Sequence, residues 1–289
     1  VNDWTPSDRQ RERDAYRRAR ARRSTLVALV STVLVAALAV GGLVSSPGWP
    51  RVRQSFFDVH VARAALPKVA EGLWLNVRVM VVCAAAIVVL ALLLALARTL
   101  RGPVFTPLRL LATGYVDLFR GLPLLLVLFL VGFGVPGLRL QGVPRSAVVL
   151  GAVALILTYS AYVAEVFRAG IEGVHPSQVA AARSLGLTRA QTMRHVVLPQ
   201  AVRRVIPALL NDLVALSKDS GLISVLGAVD AIRAAQVSTA QYANFTPYVV
   251  AGVLFVLLTI PLTRFTDMLA RRSGWLAAQG AVAGGGALR

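Results

Sequence analysis

Residues 72–97 read GLWLNVRVMVVCAAAIVVLALLLALA, a run in which Arg78 is the one charged side chain. As a helix it would reach about 39 Å, more than the roughly 30 Å of a bilayer's hydrocarbon core. It has none of the period-two alternation of a barrel strand, so it reads as a transmembrane helix. Outward from it, five more apolar runs lie at about 24–44, 107–133, 147–168, 201–225 and 246–268. With 56% of its 289 residues hydrophobic and 15% charged, and a mean hydropathy of +0.67, the chain is expected to be an all-α integral membrane protein with six transmembrane helices.

A formal charge of +18 raises nucleic acid as a partner, but the placement of the charge argues against it. Eight arginines fall within residues 1–25, ahead of the first apolar run, where a basic flank marks the cytoplasmic side of a span and can also attract anionic headgroups. That flank is too long and too mixed in charge for a signal peptide, so 24–44 is read as a retained span. With the N-terminus inside, segments 1–25, 98–109, 168–204 and 264–289 hold 21 Lys and Arg, against 7 in the outer segments 45–70, 134–146 and 226–245. Losing 24–44 would leave the other orientations unchanged. The expected organisation is a basic cytoplasmic tail 1–23, a first span 24–44 and an extracytoplasmic segment 45–70. A five-helix core 71–270 with a cytoplasmic loop 168–200 follows, then a flexible cytoplasmic tail 271–289. In the outer segment, Phe56, Phe57, Val59 and Val61 either lie in the interface plane, cap the outer mouth or pack as a loop. Cys83 is alone in the chain and reads as packing.

The loop contains PSQVAAARSLGLTRAQTMRHVVLPQ at 176–200, too charged to cross a membrane. Pro176 fits the first turn of a helix, where its missing N–H costs nothing. Gly186 interrupts that helix, and Thr188 with Gln191 three residues later forms a capping-box pattern that restarts one at Arg189. Pro199 opens the next span. The first short helix presents Ala180, Ala181, Ala182, Leu185 and Leu187 beside Arg183 and Arg189. That surface suits a groove on another protein, or else the membrane or the chain's own spans.

These residues resemble the cytoplasmic coupling loop of bacterial ABC-importer permeases, polar amino acid uptake family. The aligned stretch is Ala180, Ala181, Ala182, Arg183, Leu185, Gly186 and Leu187, ending in Leu198-Pro199; Ala180 stands where the family motif has glutamate. The stretch 115–134 resembles the family's Arg-Gly-x-Pro segment through Arg120, Gly121 and Pro123, with Asp117 in a usual glutamate position. The stretch 157–178 resembles the segment leading into the loop through Ala164, Glu165 and Arg168. The resemblance covers roughly 70–270. It implies an ABC importer permease bundle with cytoplasmic coupling helices in the bacterial inner membrane, both termini cytoplasmic. It also implies three protein partners: a cytoplasmic ABC ATPase subunit that binds ATP and Mg, an extracytoplasmic solute-binding protein and a second permease subunit. The chain has no G-x-x-x-x-G-K-[ST] sequence and is expected to be no enzyme and to hold no cofactor.

Ionisable groups at membrane depth mark a pathway or a structural pair. Asn211 and Lys218 are seven apart, as are Asp212 and Asp219, so each pair falls on one helix face. Lys218 reads either as a carboxylate contact for an amino acid, with Asp219 or Asn211 meeting its ammonium, or as a partner neutralising an aspartate. Arg78 either snorkels to the outer interface or lines the entry. Glu165 and Arg168 are expected to tie the loop to the bundle, Asp117 and Arg120 to pair at the inner face, and Asp212 to be structural. Gly121–Pro123 reads as a break in span three, and Pro207 as an equal candidate for a kink in span five. His175 and His195 make no metal site. The alternative readings are a permease for another small polar solute, or a secondary transporter of polar solutes, the latter without the internal repeat that would favour it; a membrane enzyme would need paired catalytic groups that the sequence lacks.

Overall fold

The structure, a computed structural model, describes residues 7–100 and 102–272, except for the side chains of residues 15, 18, 19, 22, 271 and 272. Most of the expected flexible tail, residues 273–289, lies outside the described residues. The chain divides into two units between Phe57 and Asp58.

The first unit is a long helix, α1 (Asp8–Val44), followed by the short α2 (Trp49–Phe56). Helix α1 takes in both the basic segment and the first apolar run without a break. It stops where Ser45, Ser46, Pro47 and Gly48 supply turn formers in place of helix formers. No residue of its apolar part, Arg23–Val44, is buried within the chain. A helix of that length, apolar on all sides, is long and apolar enough to cross a membrane.

The second unit opens with α3 (Val59–Thr99), about 61 Å long. It begins thirteen residues ahead of the run at 72. Asp58 starts it: its Oδ1 accepts the N–H of His60 at 2.8 Å and of Val61 at 3.1 Å, a standard N-cap. The Asp58 N–H donates to Thr246 Oγ1 at 3.1 Å, pinning the start of α3 to the start of the last helix. The segment 45–70 is therefore not one outer loop: Phe56 and Phe57 close the first unit, whereas Val59 and Val61 open α3, with Val61 in the core.

A 3₁₀ turn (Pro103–Phe105) leads into α4 (Thr106–Gly121) and α5 (Leu124–Phe129), which runs on through a π-turn (Leu130–Gly134) into α6 (Val135–Gly137). The two halves meet at 106°. Leu122 is extended at φ −94°, ψ 135°, because the ring of Pro123 excludes the helical conformation from the residue before it. The expected break in span three is thus a sharp corner. After it come α7 (Ala147–Glu172), α8 (Pro176–Ser184) and α9 (Arg189–Thr192), then a π-turn (Met193–Val197) into α10 (Leu198–Asp219). Helix α10 continues through Pro207. Its path ends in a 3₁₀ segment (Ser220–Leu226), and Gly227 at φ +90° turns the chain. Helices α11 (Ala231–Tyr242) and α12 (Thr246–Arg272) complete the unit. The outer segment expected at 226–245 is largely helix α11, set at 51° to the helix before it.

The part of α1 from Arg23, and α3, α7 and α12, are long and apolar enough to cross a membrane; counting each bent pair as one span raises four to six. Helix α3 buries one stripe that includes Val61, Ala65, Val69, Gly72, Asn76, Cys83, Ile87, Ala91 and Ala95. Its small residues let neighbouring backbones come close, as helix packing in lipid requires. At Gly72 an added Cβ would sit 2.4 Å from the backbone carbon of Asp230. One turn on, fully buried Asn76 donates to Ser220 O and to Asp230 Oδ2, both at 3.0 Å, and accepts from the Ala231 N–H at 3.1 Å. One side chain thereby satisfies the polar groups that the break between α10 and α11 exposes. The opposite side of α3, with Val82, Val89 and Leu93, is exposed and reads as its lipid face.

Candidate functional site

Three features sit on this frame: a half-open cavity, an ionic cluster and the pair of short helices. The cavity, about 270 Å³, lies between α7, α10 and the start of α5, and is lined by Leu124, Thr158, Tyr159, Tyr162, Asp212, Ala215 and Asp219. Helix periodicity assembles it. Thr158, Tyr159 and Tyr162 share one face of α7, and Asp212, Ala215 and Asp219 share one face of α10. The Tyr159 hydroxyl donates to Asp219 Oδ2 at 2.7 Å. Thr158 Oγ1 and Asp212 Oδ2 are buried and make no hydrogen bond. An apolar cavity of about 200 Å³ adjoins it and shares Tyr159 and Asp212 as wall residues.

Two carboxylates and an unpartnered hydroxyl around one void are costly without a ligand or water, since a buried polar atom left unpaired loses about 1–3 kcal/mol. No lysine or arginine lines the cavity. The arrangement is therefore built to receive hydrogen-bond donors, and a cationic group best of all.

The other charges expected in the pathway go elsewhere. Lys218 and Asn211 share the exposed face of α10, turned away from the cavity, and among the described residues Lys218 forms no salt bridge with either aspartate. Arg78 is exposed on α3. Asp219 alone of the expected pathway residues lines the cavity, joined by Asp212, which the sequence suggests as structural. Thr158, Tyr159 and Tyr162 went unnoticed in the sequence because aromatic and β-branched residues in an apolar helix read as packing. Their one signal is a clustering of hydroxyls, TYSAY at 158–162.

Towards the C-terminal end of α7 the balance of charge is reversed. Glu165 accepts from Arg98 Nη1 at 3.0 Å and from Arg168 Nε at 3.0 Å, and lies 3.9 Å from Arg120 Nη1. Arg168 also pairs with Glu172 one turn later. One carboxylate thus gathers the ends of α3, α4 and α7. Arg120 turns to Glu165 and not to Asp117, which is exposed and forms no ion pair among the described residues; the expected Asp117–Arg120 pair is not made. Gly121 and Pro123 are exposed at the corner. Arg98, at the last turn of α3, is a member of the cluster that sequence reading did not single out.

Four residues beyond Glu172 the chain enters α8. His175 Nδ1 caps it by accepting the Ser177 N–H at 3.2 Å, and Pro176 occupies the first turn. Gly186, at φ +84°, makes the bend with no side chain to strain it. The Thr188–Gln191 capping box forms as the spacing predicts, and Pro199 lies in the first turn of α10. Ala180, Ala181 and Arg183 are exposed and Leu185 is 80% exposed, whereas Ala182 is buried and Leu187 half-buried. The surface free for contact is thus narrower than the sequence suggests.

The family described as "Binding-protein-dependent transport system inner membrane component" matches residues 87–274. The chain is 41% identical over 176 residues to the "Probable glutamine ABC transporter permease protein GlnM" of Bacillus subtilis (strain 168), covering 60% of this chain and 79% of that protein. It is 35% identical over 207 residues to the "Arginine transport system permease protein ArtQ" of the same organism, covering 71% and 92%. Among solved structures, a chain of "Crystal structure of an amino acid ABC transporter with histidines" aligns with a TM-score of 0.66 and 34% identity over 71% of this chain and 94% of that one. A chain of the MetNI methionine ABC transporter, inward facing, aligns with a TM-score of 0.58 at 20% identity, over 71% and 96%, which is a likeness of fold.

Proposed function

The chain belongs to the binding-protein-dependent transport system inner membrane component family, and from that premise we propose how its parts work in import. It is a permease subunit of an ATP-driven amino acid importer, coupled to a separate ABC ATPase; ATP and Mg belong to that partner. A solute-binding protein supplies the substrate from outside. A second permease subunit, identical or homologous, completes the path. The chain crosses the membrane six times, each bent pair counting as one span, with both termini in the cytoplasm of a bacterial cell. An excess of basic residues in the segments on that side supports this orientation.

In this reading α8, Gly186 and α9 are the coupling element. Ala180, Ala181, Arg183 and Leu185 meet the ATPase, and Ala182 and Leu187 hold the element to its own subunit. Glu165 and its arginines link that element to α3 and α4, so that a displacement of α8 reaches the bundle as one piece.

The substrate rests against Asp212, Asp219, Tyr159 and Thr158 on its way across. The observation that carries this is the pair of aspartates, one unpartnered oxygen included, around a cavity with no basic residue on its wall. Such a site takes the ammonium of an amino acid on one carboxylate and a cationic side chain on the other. Relatives named for glutamine and for arginine both match; the cavity favours a cationic side chain over an amide, because each carboxylate then gains a charged partner.

The test is reconstitution in vesicles with the ATPase and binding protein, reading ATP hydrolysis against a panel of amino acids. Stimulation by basic amino acids above amide ones supports the assignment. Stimulation by amides alone would remove the cationic preference. An assembled complex that ignores the whole panel would remove the amino acid assignment and leave the permease.

A further inference from the structure

The family match begins at residue 87, which leaves α1 outside it. Helix α1 changes character at Arg23, where its apolar part begins. At that point its surface carries a groove of about 520 Å³ lined by Tyr16, Arg20, Arg23, Ser24 and Val27. The spacing is not accidental to the helix: Tyr16, Arg20, Arg23 and Val27 follow at four, three and four residues, one stripe along a single face. Two guanidinium groups, a phenol and a serine hydroxyl therefore border one open depression along this face. None of these four side chains makes a hydrogen bond or ion pair among the described residues. Below them the stripe continues as Val27, Leu34 and Leu38, all exposed.

We propose that this groove binds the phosphate of one anionic phospholipid, in the leaflet on the N-terminal side of α1. The occupant follows from depth and charge together. The groove stands at the boundary between the charged and the apolar parts of the helix, which is headgroup depth for a span that starts at Arg23. Guanidinium pairs bind phosphate oxygens in a bidentate fork, and the hydroxyls of Ser24 and Tyr16 donate to the oxygens that remain. Val27 and the exposed apolar stripe beneath it receive the acyl chains. A free phosphate would leave that apolar lower wall unused. The inference rests on α1 spanning the membrane and is independent of which solute the permease carries.

The test is native mass spectrometry of the full chain released from detergent with dioleoyl phosphatidylglycerol, dioleoyl phosphatidylcholine or inorganic phosphate. The wild type is expected to retain one phosphatidylglycerol that the Arg20→Ala/Arg23→Ala variant does not, with retention weakened about tenfold or more. Arg9→Ala/Arg11→Ala removes the same charge outside the groove and should retain that lipid. Arg20→Lys/Arg23→Lys keeps the charge, is the less disruptive change, and should fall between. Equal loss in the Arg9/Arg11 variant, equal retention of phosphatidylcholine, or displacement of the lipid by millimolar inorganic phosphate would each overturn the site. The first would show diffuse attraction, the second a generic lipid contact and the third a free-phosphate site.

Discussion

Two acidic regions of α7 and its neighbours face opposite fates. Glu165, towards the C-terminal end of α7, is surrounded by Arg98, Arg168 and Arg120. Asp212 and Asp219, in the cavity further along the bundle, have between them one tyrosine hydroxyl and no cation. Both regions hold carboxylates out of bulk water, and the cost of doing so is alike in kind. Where the chain supplies its own counter-charges, the carboxylate becomes a joint between helices. Where it withholds them, the deficit is left for something that arrives and leaves. Compensation within the chain thus separates carboxylates that join helices from carboxylates left open to a ligand, which is the basis of the substrate site proposed above.

Replacing the cavity carboxylates should give the largest effects and should appear in transport, not stability. Asp219→Asn is expected to weaken the response of ATP hydrolysis to a basic amino acid about 30-fold or more, the loss of one desolvated charge pair, with the melting temperature held or raised. A drop in melting temperature with unaltered substrate response would reverse the roles of the two regions. Asp212→Asn should cost about tenfold in the same assay. Since Asp212 keeps an oxygen free in the absence of substrate, this change trades an unpaired charged group for an unpaired neutral one and costs no stability.

Next comes Tyr159→Phe, which removes the one donor to Asp219 and frees its oxygen. Substrate response should shift by about five- to tenfold, and selectivity among basic amino acids can be read directly in a competition assay. Glu165→Gln should show the converse pattern. Stability falls by about 1–3 kcal/mol as three guanidinium groups lose the negative charge they share and Arg98 and Arg168 lose an acceptor oxygen. The substrate concentration for half-maximal stimulation stays put, while the maximal stimulation by substrate declines because α8 is held less firmly. The smallest effect belongs to Arg120→Ala. Its guanidinium is 3.9 Å from Glu165 and 42% exposed, so less than about 0.5 kcal/mol is expected. A larger loss on denaturant titration would mean that Arg120 supports the corner at Gly121–Pro123 and not the cluster.

Local chemistry was legible from neighbours in the sequence. The capping box at Thr188 and Gln191, the Gly186 bend, the break before Pro123 and the length of the apolar runs all depend on residues within a few positions of each other. Helix α11 was not legible, because AIRAAQVSTAQY at 231–242 is short and mixed in polarity. Its helix is stabilised by burying Ala231, Ala234, Ala235 and Ser238, three of them alanines small enough to let α11 lie close against α3. Arg120 was assigned to Asp117 three residues away, when the stronger acceptor lay 45 residues later on a crossing helix.

The sequence by itself determined the solvent of this protein, where its long apolar helices lie along the chain, and the kind of machine it belongs to. Periodicity, capping and apolar length are properties of a single segment, and each segment declares them. Tertiary structure alone decided which charges meet. Asp212 and Asp219 share a face with each other by helical spacing, but only the packing of α10 on α7 turns that face towards Tyr159 and Thr158 and turns Lys218 out. An ionic partner is fixed by distance in space, and in a bundle of long helices that distance has little to do with separation along the chain.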